Sequence, residues 1–134
     1  MNNKLTGTAG EYVACADAMF KGYSCSVSTE EAEYDLILDT GKDLLKVQVK
    51  SSSYSRSQNG DSLSFTICRR NSKLSTYDVD LFAFVDIDSN SIAWLHFNET
   101  YKTGLVIKKD NFCDYNIDRI LSLYFSNKRR KNVK

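Results

Sequence analysis

The sequence predicts an α/β fold: a mixed central β-sheet with an N-terminal helix on one face and a C-terminal helix elsewhere. Residues 34–52 form two apolar runs around a polar break that contains glycine, a pattern typical of a β-hairpin. Residues 81–85 are continuously apolar, as in a strand buried on both faces. Helix signals lie outside this strand-rich middle, over residues 9–21 and 117–125. We expect one domain over residues 1–127, followed by a basic C-terminal tail over residues 128–134.

The first helix is marked by the segment Thr8-Ala9-Gly10-Glu11, which matches the S/T-x-x-E capping box. The pattern predicts a helix over residues 9–21, which Gly22 is placed to end. Glu11 then has two roles open to it, as the capping partner of Thr8 or as an acid of a functional site. Small side chains at positions 14, 15 and 18 would let this helix approach the sheet closely.

The hairpin follows a predicted strand over residues 23–27 and an acidic turn over residues 28–33. In its second run the odd positions from 45 to 49 are apolar, while the even positions carry Lys46, Gln48 and Lys50. A tight turn at positions 40–41 would set Asp35 opposite Lys46, on the same face as Gln48 and Lys50. A carboxylate, an amide oxygen and an ammonium would then share one patch of sheet.

The remaining elements follow from the same patterns. Residues 51–61 are polar and predict a loop, residues 63–67 alternate as a strand, and residues 69–77 form a basic connection. A second hairpin is predicted over residues 79–87 and 91–97, with Trp94 and Phe97 in the core and His96 partly exposed. Residues 105–107 predict a short edge strand. Residues 117–125 have a helical apolar period and predict a closing helix.

Composition narrows the class of protein. The apolar content of 42% and the charged content of 26% are ordinary for a soluble domain. The four cysteines form no C-x-x-C pair and the chain has one histidine, so we expect reduced thiols in a cytoplasmic protein and no zinc site. No apolar run is long enough to cross a bilayer, and the N-terminal residues carry no secretion signal, so we expect no membrane association.

The polar face of the hairpin has a chemical use. Hard divalent cations such as Mg²⁺ bind oxygen ligands, commonly one or two carboxylates together with phosphate and water. A lysine beside such a site can neutralise charge that develops on a phosphate. The alternative interpretation is a surface hairpin whose outer face carries ordinary polar residues.

These residues resemble the PD-(D/E)XK nuclease superfamily, whose signature is an acid on one strand and (D/E)-x-K on the next. Asp35 and the segment Gln48-Val49-Lys50 fit that signature, and Glu11 fits the helical glutamate that often precedes it. The order of motifs over residues 7–97 is closest to the branch that holds group I intron homing endonucleases and archaeal-type Holliday-junction resolvases. The sequence departs from the pattern at Tyr34, where the family has Pro, and at Gln48, which replaces the second acid.

The resemblance implies a Mg²⁺-dependent DNA endonuclease of the restriction-endonuclease-like fold, in which Mn²⁺ can substitute. Asp35, Gln48 and the backbone carbonyl of Val49 would hold the metal, Lys50 would stabilise the phosphorane or position water, and Glu11 would complete the catalytic set. We expect a homing-endonuclease-like enzyme; the alternatives are a Holliday-junction resolvase and a catalytically silent DNA-binding module.

The DNA would be held by polar and basic side chains that flank the site and occupy the tail. The candidates are Ser52, Arg56, Arg69, Arg70, Lys73, Lys128, Arg129 and Arg130. Cutting both strands of a duplex needs two active sites and the chain supplies one, so we expect a homodimer or a higher homo-oligomer.

Overall fold

The computed structural model describes residues 3–53, 60–67, 79–96 and 104–132. Within these ranges the chain forms two α-helices, seven strands and one 3-10 helix. In chain order they are α1 (Asn3–Phe20), β1 (Ser24–Val27), β2 (Leu36–Asp39), β3 (Leu44–Ser52), β4 (Ser62–Thr66), β5 (Leu81–Asp86), β6 (Ser91–His96), β7 (Gly104–Lys108), the 3-10 helix (Lys109–Tyr115) and α2 (Ile117–Asn132).

Five strands form a mixed central sheet in the order β1-β2-β3-β5-β6, as the sequence predicts. The pairing is antiparallel between all neighbours except β3 and β5, which run parallel. All six residues of β5 are buried, which confirms the prediction of a strand covered on both faces. This strand lies between β3 and β6. The two neighbours of β3 are therefore the wholly buried β5 and the hairpin partner β2.

The two faces of the sheet belong to two separate apolar cores. One core contains residues of α1, of α2 and of the strand face that carries Val47 and Val49, so both helices cover the same face, and the expectation that α2 lies elsewhere was wrong. Trp94 is fully buried on that face, as predicted, while Phe97 lies outside the described residues. The opposite face carries Phe82 and Phe84, which pack with β4, β7 and the 3-10 helix.

Strands β4 and β7 form a second, two-stranded antiparallel sheet. The short edge strand predicted over residues 105–107 is confirmed as β7, and its partner is β4, outside the central sheet. The cause is packing, because Phe65 and Ile107 bury their side chains against the β5 aromatics: the ring centroids of Phe65 and Phe84 are 5.1 Å apart. Of the predicted connections, residues 69–77 and most of residues 51–61 lie outside the described ranges.

Helix α1 begins at Asn3, six residues before the predicted start, so Thr8 lies inside the helix and is not its cap. The early start is stabilised by packing, because Thr6 and Gly10 are buried in the same helical row as Ala14 and Ala18. The predicted end is confirmed. Gly22 has a φ of +94°, and its N–H donates to the carbonyl of Met19 at 3.0 Å.

Helix α2 begins after Asn116, whose side-chain oxygen accepts a hydrogen bond of 2.9 Å from the N–H of Arg119. It continues to Asn132, so the helix extends into the segment predicted as a basic tail. Lys128 contributes to this extension, because its ammonium pairs with Asp43 at 2.6 Å. Among the described residues, neither helix is both long and apolar enough to span a membrane.

Candidate active site

The site is built around Asp35, which lies where the β2–β3 ladder ends. The turn between the strands spans Thr40 to Asp43, so Ile37 pairs with Lys46 and the ladder stops at the Leu36–Val47 pair. The prediction that Asp35 lies opposite Lys46 was therefore wrong, because the longer turn shifts the register. The N–H of Asp35 donates to the carbonyl of Val47 at 2.9 Å.

The carboxylate of Asp35 is fixed by the strand that carries the rest of the motif. Its Oδ2 accepts a hydrogen bond of 2.8 Å from the N–H of Val49. A charged acceptor with a backbone donor makes one of the stronger hydrogen bonds in proteins, so this contact restricts the side chain to one orientation. Val49 lies between Gln48 and Lys50, so the bond brings Asp35, the residue before β2, level with the Gln-x-Lys segment of β3.

Glu11 reaches the same place from α1. It lines the same cavity as Asp35, and partial burial together with the negative charge of Asp35 raises the pKa of Glu11 to about 7. At neutral pH the Glu11 carboxyl is therefore protonated for part of the time. The capping role that the sequence left open is excluded, because Glu11 is the ninth residue of α1.

Close contact between α1 and β3 places Glu11 there. Gly10 is buried against Ser51, and a Cβ at position 10 would overlap Ser51 Oγ and lie 3.1 Å from Ser51 Cβ. A larger residue would force Ser51 Oγ to move and would press on Ser51 Cβ. The requirement is steric, since helical backbone suits any residue at this position.

Glu11 and Asp35 line a cavity of about 260 Å³. Its other walls come from α1 and from the segment between β1 and β2: Thr8, Ser28, Thr29, Glu30, Ala32 and Tyr34. Within the described part of the chain, the buried Oγ of Ser28 has no hydrogen-bond partner. Every side-chain donor or acceptor atom in the lining is oxygen, with no thiol or imidazole, which is the ligand chemistry that hard cations prefer.

Gln48 and Lys50 occupy successive even positions of β3 on either side of Val49, and both are half-buried. Their Cα partners on β5 are Phe82 and Phe84, so an apolar surface lies on one side of each polar side chain. Lys46 is set apart from them, because its ammonium lies over the ring of Tyr34, 5.5 Å from the centroid.

The predicted DNA-binding residues have different outcomes. Ser52 is only 7% exposed and pairs through its backbone with Ile87, so it offers no surface to a phosphate and that prediction was wrong. Arg129 is exposed on α2, and Lys128 forms an ion pair with Asp43. The side chain of Arg130 is not among those that the structure describes. The other four, Arg56, Arg69, Arg70 and Lys73, lie outside the described residues.

Sequence reasoning missed Ser28 and Gly10. Ser28 is 17 residues from Glu11 along the chain and seven from Asp35, and no motif marks it. Gly10 did carry a signal, since it directly precedes Glu11 in a helix that otherwise faces the sheet with small residues. Among the described residues no three His, Cys, Asp or Glu side chains converge on one point, so a metal here would need ligands beyond the two acids.

The fold and the site together define a nuclease. The sequence model of the PD-(D/E)XK endonuclease family matches residues 1–114, and the chain belongs to that family. It is therefore an endonuclease, and membership implies a DNA substrate. Nucleases of this family generally use divalent metals.

A solved structure agrees with the fold. The chain is similar to the structure of a bacterial homing endonuclease, I-Ssp6803I, with a TM-score of 0.72 and 20% sequence identity. The match covers 98% of each chain, so the likeness extends over both helices and both sheets. No curated protein sequence matches the chain.

Proposed function

We propose that this protein is a Mg²⁺-dependent DNA endonuclease of the homing-endonuclease type, in which Mn²⁺ can replace Mg²⁺. One observation carries the proposal: Glu11 and Asp35 meet at a cavity, and the amide of Val49 fixes Asp35 beside Gln48 and Lys50. A surface hairpin with ordinary polar residues has no reason to bring two carboxylates into contact, because their repulsion destabilises the fold above neutral pH.

The residues fit a divalent cation. Two adjacent carboxylates are a natural site for a positive charge, since a cation removes the repulsion between them. Asp35 and Glu11 would hold the metal from two elements, with the amide oxygen of Gln48 and the carbonyl of Val49 as further neutral ligands. The buried hydroxyl of Ser28 adds an unused oxygen at the same cavity. Phosphate and water complete the shell of Mg²⁺ sites of this kind.

The substitution of Gln48 for the second acid is compatible with this assignment. Glu11 supplies the second carboxylate from α1, so the site still offers two negative charges to a divalent cation. An amide oxygen at position 48 adds a ligand without adding a negative charge, and each charge left out lowers the repulsion of an incoming phosphodiester.

The protein groups have distinct tasks in hydrolysis of a phosphodiester. When bound, the cation supplies charge that polarises a phosphate oxygen and helps to ionise the attacking water. Asp35 is held in one orientation by Val49, so no reorganisation is needed as the reaction proceeds. Lys50, half-buried beside Phe84, offers an ammonium to the charge that grows on the phosphoryl oxygens in a setting where water screens it weakly.

The homing-endonuclease type is favoured over a Holliday-junction resolvase by the similarity of the fold to I-Ssp6803I over nearly the whole chain. The two types differ in substrate, because one cuts linear duplex and the other a four-way junction. Incubation with supercoiled plasmid carrying random inserts and with a synthetic four-way junction separates them. We expect cleavage of the duplex, and selective cleavage of the junction would favour the resolvase.

The central test is metal-dependent cleavage by Asp35→Asn. This variant keeps the size of the side chain and an oxygen for the Val49 amide, but it loses a charged ligand. We expect cleavage in Mg²⁺ to be abolished and DNA binding to be nearly unchanged. The matched control is Asp39→Asn, at the far end of β2, where the carboxylate only accepts a bond from Gly41. Wild-type cutting by Asp35→Asn, or wild-type cutting in EDTA, contradicts the assignment.

A further inference from the structure

The two-stranded ribbon of β4 and β7 has one buried face and one outward face. Leu63, Phe65 and Ile107 are buried in the second core, which fixes the inward side of both strands. The alternate positions therefore point away from the core. In register, the outward pairs are Ser62 with Lys108, Ser64 with Val106, and Thr66 with Gly104.

The outward face is small and polar. Besides Lys108, it carries Ser62, Ser64 and Gly104. Val106, which is 60% exposed, and Thr66, which is also exposed, complete it. Hydroxyls both donate and accept hydrogen bonds, and the methyl groups of Val and Thr suit an apolar contact. Side chains this short let the backbone of the ribbon come close to whatever it meets.

The sequence segments that contain the two strands are basic. Residues 62–73 and 101–109, which contain β4 and β7, hold six of the chain's 18 basic residues and none of its 17 acidic residues. The nearest acids in sequence, Asp61 and Asp110, lie just beyond one end, and Asp61 accepts a hydrogen bond from Ser62. A protein with a net charge of only +1 thus concentrates positive charge in the segments of this element, which complements a polyanion.

The ribbon packs on the face of the sheet that carries Gln48 and Lys50, opposite the face that α1 covers. Lys50 is the Cα partner of Phe84, and the ring of Phe84 contacts that of Phe65 on β4 at 5.1 Å between centroids. Gln48 stands in the same relation to Phe82, which stacks with Phe84 at 5.7 Å. The ribbon is therefore packed one layer from the strand whose polar face would meet the scissile phosphate.

We propose that the β4–β7 ribbon enters the major groove of the target duplex, with Thr66, Ser64 and Val106 facing base edges and Lys108 facing a phosphate. The major groove admits a two-stranded β-ribbon, and hydroxyl and methyl groups are suited to its base edges. This inference rests on the proposed function and adds to it the element that reads sequence. It does not involve the catalytic residues, so its test can fail while cleavage persists.

The docking arm of the test uses Val106→Glu, which places a negative charge at the centre of the outward face. We expect binding to a random-sequence 30-base-pair duplex to weaken at least about tenfold, measured by fluorescence anisotropy. The matched control is Ser26→Glu on the exposed face of β1, which we expect to bind like the wild type. Thermal unfolding of both variants verifies that they remain folded.

The reading arm uses the double variant Thr66→Ala/Val106→Ala, compared with Ser24→Ala/Ser26→Ala on β1. Cleavage products from a randomised duplex library are sequenced for each protein. We expect the ribbon variant to lose base preference at a few adjacent positions, while its affinity for random duplex changes less than about threefold. The β1 variant should retain the wild-type profile.

The outcomes separate the two proposals. Wild-type binding by Val106→Glu, together with an unchanged profile for the alanine variant, overturns the inference and leaves the nuclease intact. A wild-type protein that neither binds nor cuts any duplex overturns the proposed function itself. Lys108→Gln gives an independent check, since loss of one phosphate contact lowers the salt dependence of binding by about 0.9 log units per decade of salt.

Discussion

Glu11 and Asp35 are held together at a cost to stability, and that cost can be measured. The raised pKa of Glu11, about 7, means that its ionised form is less favourable in the folded protein than in the unfolded chain. The stability associated with a protonated Glu11 is complete below its ordinary pKa of 4.5 and is lost as the pH rises through about 7. Catalytic acids that repel one another are a common source of such strain.

We therefore expect Glu11→Gln to stabilise the protein at pH 8 in EDTA and to have little effect at pH 4. The gain should be about 1 kcal/mol, less than the full pKa shift implies, because the carboxyl is only partly buried and solvent screens the repulsion. Urea unfolding at the two pH values measures it. The same variant should lose cleavage in Mg²⁺. Equal stability of both proteins at pH 8 would mean that the acids do not repel one another.

Lys50 and Lys46 lie two residues apart on β3 and provide an internal comparison. Lys50→Ala should lower the single-turnover cleavage rate by about 10²–10³, the effect of losing one preorganised charge partner. Lys46→Ala should have a mild effect, because Lys46 lies over Tyr34 and the motif gives it no role. Lys50→Arg should not restore the full rate, since a planar guanidinium does not replace a compact ammonium. Equal, small losses in both alanine variants would remove Lys50 from the catalytic set.

Helix α1 depends on Gly10 for its distance from the sheet. Gly10→Ala inserts a methyl group where Ser51 already lies, so α1 must shift outwards and carry Glu11 with it. We expect a loss of about 1–3 kcal/mol in unfolding free energy, as for other overpacked sites, and reduced cleavage. Denaturant unfolding and a cleavage assay measure the two effects.

Gly7 supplies the control on the same helix, because a Cβ there would meet no atom within 4 Å. Gly7→Ala should stabilise the protein by about 0.5–1 kcal/mol through helix propensity alone. A second change, Ser51→Gly, should recover much of what Gly10→Ala loses. If Gly10→Ala instead stabilises the protein as Gly7→Ala does, the close contact between helix and sheet is not a constraint.

The strands were predictable because their signals are local. Alternation over residues 45–50 and the apolar run over residues 81–85 each fix a strand from a few neighbouring residues. The start of α1 was not predictable, since a capping-box pattern at Thr8 occurs by chance inside a longer helix whose first turns are stabilised by burial of Thr6. The pairing of β4 with β7 depends on contacts between segments that are about 40 residues apart in sequence.

The site residues also differ in whether their signal is local in the sequence. Asp35, Gln48 and Lys50 belong to a short motif that the sequence displays. The contact of Glu11 with Asp35 spans 24 residues and depends on how α1 crosses the sheet. The register of Asp35 depended on the length of one turn, where four residues instead of two moved the ladder. Such errors are expected wherever a conclusion rests on a turn whose type the sequence leaves open.

Helix α1 carries an exposed apolar surface at which two copies of the protein could associate. On α2 and β7, Ile117, Ile120 and Ile107 are buried in the two cores and are not available to a partner. Helix α1 instead exposes Leu5 (58%) and Met19 (54%), with an exposed tyrosine midway between them. Residues seven apart lie on one side of a helix, which is the spacing of a seam between two helices.

We expect the working unit to be a homodimer, since one chain supplies one site. We expect the uncharged stripe of Leu5, Tyr12 and Met19 to be the dimer interface and not a DNA contact. Met19→Lys should then convert the protein to a monomer in light scattering. It should also change plasmid cleavage from double-strand cuts to nicks, with the catalytic residues untouched. The matched control is Leu44→Lys, which charges an equally exposed apolar residue at the hairpin end, 67% exposed, and should leave the dimer intact. A wild-type protein that scatters as a monomer with and without DNA would contradict the dimer. A Met19→Lys protein that remains dimeric would place the seam elsewhere.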